Sequence, residues 1–122
     1  MKTLYLVRFE EVKSSKVFHK FGITGRDVEW RFNPRIYPED RFRYGEFHIS
    51  EVYSIQGPSE SIEKCEKKLL SMWPKNFILE NHLDKPYGYY NKGLTGITES
   101  VILTDDQVIE AVEIMNLMAT KI

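Results

Sequence analysis

Apolar and polar positions along the chain change period several times, and the changes divide it into elements. Residues 2–9 alternate and are rich in β-formers, with Tyr5 turned to one side and Leu4 and Leu6 to the other. Residues 10–16 are charged and contain Ser14-Ser15, which reads as a hairpin connection into a second, antiparallel strand at 17–23. Asp27 then stands where a helix would start, and a short helix is expected at 26–32, closed by Asn33-Pro34. Residues 35–45 read as a loop carrying basic side chains, and 46–55 as a third strand whose two faces divide less cleanly. Gly57-Pro58-Ser59-Glu60 is a helix start, with proline expected at the first helical position, and the helix should stop at Pro74. At about 100° per residue, Ile62, Cys65, Leu69, Met72 and Trp73 share one stripe. Residues 75–96 are irregular, 97–103 look like a short strand, and Thr104 with Gln107 forms a capping box. The last helix, about 105–119, should turn Val108, Ile109, Val112, Met115 and Ala119 inward. The expected architecture is α/β (α+β): one domain over residues 1–122, with a central, mainly antiparallel sheet of three or four strands flanked by helices.

Composition adds little until charge is divided along the chain. The net charge is −1, yet residues 1–45 carry ten Lys/Arg against six Asp/Glu, and residues 46–122 seven against twelve. All six arginines lie in the first part: Arg8, Arg26, Arg31, Arg35, Arg41 and Arg43. Such clustering arises on ordinary solvated surfaces, and it also suits a face that meets a phosphate backbone. With a slightly negative overall charge, duplex binding would be modest and salt-sensitive. A single cysteine, Cys65, excludes an internal disulfide and fits a reducing compartment. MKTLYLVRFEE has only a short apolar run before charges, so no secretory leader is expected, and no stretch approaches a membrane span. A cytoplasmic setting is the expectation.

Chemistry concentrates in KFGITGRDVEWRF, residues 20–32. Gly22 and Gly25 bracket Ile23-Thr24 and suggest a tight turn. Arg31 follows, between Trp30 and Phe32. A guanidinium held between aromatics does little for the stability of a small domain. It suits a phosphate, because the planar fork matches phosphate oxygens and keeps its charge. Tyr5 in TLYLVRF, the KFGIT segment and Arg31 in EWRF together resemble the opening of the GIY-YIG nuclease superfamily, most closely its phage-type members. The first triplet is Thr3-Leu4-Tyr5 and the second Lys20-Phe21-Gly22, so Lys20 stands in place of the second family tyrosine. TESVILTDDQV, with Glu99 at the acidic position, resembles a further phage-type segment.

The helix at 59–73 supplies another candidate. Glu66 falls inside the apolar arc, between Ile62 and Leu70, where a carboxylate is costly unless a cation, a metal or hydrogen bonds satisfy it. In the family, a glutamate on the helix after the third strand binds one divalent metal, and Glu66 in IEKCEKKLL matches that place. The resemblance therefore implies a metal-dependent DNA endonuclease using Mg²⁺ or Mn²⁺, with Glu66 as metal ligand, Arg31 clamping the scissile phosphate and Tyr5 orienting or deprotonating the water. A free phenol has a pKa of about 10, so a base role needs nearby positive charge from Lys20 or Arg31. Lys20 would otherwise bind phosphate directly, and His48 is a substitute base. Arg26, Arg35, Arg41 and Arg43 are candidates for contacting DNA, and Tyr87, Tyr89 and Tyr90 for stacking on unpaired bases. Asn76, Asn81 or Asn91 would supply the family's asparagine. With one site per chain, cutting both strands needs a homodimer or two encounters. Duller readings stand beside these: Tyr5 as a sheet aromatic, Arg31 and Glu66 as a structural ion pair, and His48 as a half-buried sheet residue. The alternative function is a catalytically inactive relative that binds nucleic acid, a nucleotide or a host factor.

Overall fold

Strand β1 (Lys2–Glu11) is the axis of the protein. The computed structural model describes residues 1–32, 44–73 and 100–121, and in it β1 lies between β3 (Phe47–Gly57) and β2 (Val17–Thr24). A two-residue strand, β4 (Ser100–Val101), extends the sheet beyond β2, giving the order β3-β1-β2-β4, antiparallel throughout. The hairpin between β1 and β2 closes through Glu11 N–H to Lys16 C=O (2.9 Å) and Ser15 N–H to Glu11 C=O (2.8 Å), with Ser15 in the left-handed region at φ 62°. The Ser14 hydroxyl donates to the buried Glu11 carboxylate, which limits the cost of enclosing that charge.

Leu4, Tyr5, Leu6, Val7 and Phe9 are all buried, so β1 is covered on both sides. On one side, Leu4, Leu6, Phe21 and Ile55 pack with Ile62, Leu69 and Trp73 of α2 (Ser59–Met72) and with Ala111 and Met115 of α3 (Asp105–Ala119). We call this the helix side. On the other, the rings of Phe9, Phe18, Phe32 and Phe47 interlock, with Phe9 stacked on Phe18 at 4.8 Å and the remaining pairs edge-to-face at 5.4–5.6 Å. This is the aromatic side. The expected division of Tyr5 from Leu4 and Leu6 is therefore present.

The register of β3 on β1 shifts between Leu6 and Val7: Leu6 pairs with Tyr53 but Val7 with Glu51, which leaves Val52 as the extra residue of a bulge. Tyr53 and Ile55 consequently share the side of Leu6 and Leu4, whereas Phe47 and Ile49 pass to the other side. That explains why β3 shows no clean alternation in the sequence.

Pro58 proves to be the N-cap of α2 rather than its first residue, so the helix begins one position later than expected, and Trp73, the residue before Pro74, is extended at φ −126°, ψ 137°. The Thr104 box is formed, with Gln107 N–H donating to the Thr104 hydroxyl (3.2 Å) and Thr104 N–H to the Gln107 side-chain oxygen (2.9 Å). Of the expected inner stripe of α3, Val108, Val112, Met115 and Ala119 face the core and Ile109 does not. Ala111 and Met115 are fully buried while Ile109 is 57 % exposed; the small alanine lets the helix approach the sheet, and Ile109 lies one flank away. Among the described residues no helix is long and apolar enough to cross a membrane.

Candidate active site

Tyr5 and Gly22 face each other across β1 and β2. A Cβ added to Gly22 would stand 2.2 Å from the phenol oxygen and 2.4 Å from Cζ, so the ring lies directly across the β2 backbone. Gly22 is therefore needed for close approach in mid-strand; the turn expected around it begins only after Thr24. Asp27 accepts from Trp30 N–H at 2.7 Å and starts α1 (Val28–Arg31), as its position in the sequence suggested. One turn later the C-cap residue Phe32 sets its ring edge-to-face on Tyr5, 5.3 Å between centroids.

Lys20 shares the side of Tyr5. It is only 4 % exposed, and its ammonium lies 6.0 Å from the centroids of both Tyr5 and Phe32, at the outer range of cation–π attraction. The Arg31 guanidinium sits 5.2 Å from the Phe32 ring. On the other aromatic beside Arg31 in sequence, the Arg26 guanidinium stacks over the Trp30 ring at 4.3 Å. Tyr5, Lys20, Phe32 and Arg31 thus form one group: an enclosed phenol and ammonium, roofed by an aromatic ring, with one guanidinium beside it.

Glu66 is half-buried on α2, beside Ile62 and Leu69, as the helical period indicated. The apolar stripe of α2 packs on the helix side of the sheet, and Tyr5 points to the aromatic side. The two groups therefore approach one another only around an edge of the sheet. The nearer edge is that of β2. Strand β4 pairs with β2 at His19 and Lys20 alone, so among the described residues Phe21–Thr24 carry no strand on that side. There the phenol lies over Gly22, while Phe21 stacks on Trp73 at the end of α2, 5.8 Å between rings.

His48 does not join the group. It is exposed, neither half-buried nor enclosed, and pairs with Glu10, five positions from Tyr5 or about 17 Å along the strand. Arg35, Arg41, Arg43, Asn76, Asn81, Tyr87, Tyr89, Tyr90, Asn91 and Glu99 lie outside the described residues.

Among the described residues no three His, Cys, Asp or Glu side chains converge as a metal cluster. Mg²⁺ keeps several waters and binds through one or two carboxylates, and Glu66 is a half-buried carboxylate of the kind that could serve as such a ligand.

His19 flanks the second triplet, where an outward-facing side chain is expected, yet it is turned inward. It is 4 % exposed on the helix side, opposite Arg8 and Val101, and its Nδ1 has no hydrogen-bond partner among the described residues. Burial, reinforced by the Arg8 charge and partly offset by Asp105, lowers its pKa from 6.5 to about 4. The available signal was alternation: position 19 has the phase of Phe21 and Ile23.

In comparison with known proteins, no family model, no curated protein and no solved structure matches this chain.

Proposed function

We propose that this protein is a metal-dependent DNA endonuclease of GIY-YIG-like type, nicking one strand at a time. The observation that carries the reading is the seating of the two motif triplets side by side, with the Tyr5 phenol across Gly22, Lys20 on the same side and Arg31–Phe32 closing over them. In this reading the Arg31 fork holds the scissile phosphate in two parallel hydrogen bonds and fixes it relative to the phenol. The Tyr5 oxygen orients the attacking water, and the Lys20 ammonium favours negative charge on the phosphate oxygens. Glu66 holds Mg²⁺ or Mn²⁺, which supplies charge stabilisation on the phosphate when bound. The Phe32 ring keeps bulk water from the phenol.

A specific observation favours a second reading. Tyr5 and Lys20 are 1 % and 4 % exposed, whereas Arg26 is exposed and Trp30 and Arg31 are partly so. A protein that grips DNA with the outer groups and never turns it over would look like this. Supercoiled plasmid with Mg²⁺ or Mn²⁺ separates the two. The endonuclease reading expects nicked circles that disappear with Glu66→Gln. Nicking that survives Glu66→Gln refutes the metal-ligand role, and salt-dependent binding with no nicking establishes the second reading instead.

A further inference from the structure

The group on the outer side of α1 has a use of its own. The Arg26 guanidinium lies over the Trp30 indole at 4.3 Å, and Arg26 is exposed. The stack is held from below. Arg26 N–H donates to the Thr24 hydroxyl at 3.1 Å, and the Asp27 carboxylate is engaged by Trp30 N–H, so the turn that presents the pair is braced at both ends. The Lys2 ammonium rests against the same turn, 3.5 Å from where a Cβ of Gly25 would be. Arg31 flanks it on α1. A planar cation stacked on an indole, with two further cations around it, matches a nucleobase lying on the guanidinium and phosphates on either side. A duplex does not present that match, because its base faces are already stacked and only edges and phosphates are offered.

We infer that the Arg26–Trp30 stack is a platform for an unpaired nucleotide, so that the preferred substrate is DNA with a single-stranded segment next to the cut. This rests on the reading above and narrows its substrate class. The full chain, kept in chelator so that nothing is cleaved, is titrated with short oligothymidine and with duplex DNA of the same length while tryptophan emission is followed. Only two tryptophans contribute, and Trp73 is 8 % exposed and stacked on Phe21, so a quench reports Trp30. The single strand should quench and bind more tightly. Arg26→Lys keeps the charge but removes the planar face, so it should weaken single-strand binding on the order of tenfold and duplex binding by clearly less. Duplex bound as tightly as the single strand, or an equal effect of Arg26→Lys on both, overturns the inference. Nicking that depends on Glu66 without any single-strand preference overturns it alone, while absence of binding to either DNA overturns it together with the nuclease reading.

Discussion

Replacing Gly22 with alanine tests the geometry on which the candidate site depends. The backbone of Gly22 is outside the left-handed region, so alanine meets no conformational barrier there. Elsewhere such a change stabilises by about 0.4–1 kcal/mol through the unfolded chain. Here the new methyl would sit 2.2 Å from the Tyr5 oxygen, 2.4 Å from Cζ and 2.9 Å from Cε1, against an ordinary carbon contact of about 3.5–4.0 Å. The ring cannot swing into solvent, since Tyr5 is 1 % exposed and Phe32 blocks its edge at 5.3 Å. Overpacking of this kind costs about 1–3 kcal/mol. With a urea slope of about 1–3 kcal/mol per molar, the unfolding midpoint should fall by roughly 1 M. The same substitution in a Tyr5→Leu background meets none of those three atoms, so its cost should shrink by about 1 kcal/mol or more, measured as a coupling energy in the double-mutant cycle. A neutral or stabilising Gly22→Ala, or one equally costly in both backgrounds, would refute the stacking of phenol on strand.

Other expectations follow from the same contacts. Folded His19 refuses a proton that the unfolded chain accepts, so stability present above about pH 6.5 should be lost as the pH falls toward about 4. The loss is at most about 3 kcal/mol, and a urea series over that range should flatten in His19→Leu; an unchanged slope would show that another group titrates. Thr104→Ala removes the cap of α3 and should cost about 1 kcal/mol, with no change in the His19-linked slope. Tyr5→Phe should abolish plasmid nicking at a stability cost of about 0.5–1.5 kcal/mol for the buried hydroxyl, with the ring and its Phe32 contact kept; retained nicking would remove the phenol from the chemistry.

Where hydrophobic period and local capping decided the outcome, the fold was legible from residues alone. The β1–β2 hairpin, the Asp27 and Thr104 caps and the inward arc of α2 all depend on neighbours within a few positions, and each is present except for Met72, which ends the expected arc but is 39 % exposed. Gly22 misled because a glycine between two residues of a turn-like segment looks the same as a glycine under an aromatic ring; only the cross-strand partner separates them. Ile109 misled because adjacent apolar residues on a helix leave the exact arc undecided, and the close approach at Ala111 decided it. His48 misled because strand alternation says which side a residue faces and nothing about how far along the sheet it lies from Tyr5. The meeting of Tyr5, Lys20 and Phe32 was partly readable, since both strands are local to the motif, whereas the side on which α2 packs is a tertiary matter.

The extra residue in β3 has a consequence for how this chain tolerates change. Because Val52 resets the phase of the strand, one continuous segment feeds two separate hydrophobic layers, Ile55 into the helix-covered one and Phe47 into the ring cluster. Removing a single residue between Ser50 and Tyr53 would therefore turn half the strand inside out, exposing Phe47 or Ile55 as a unit. Length in that short stretch is more tightly constrained than the identity of any side chain in it.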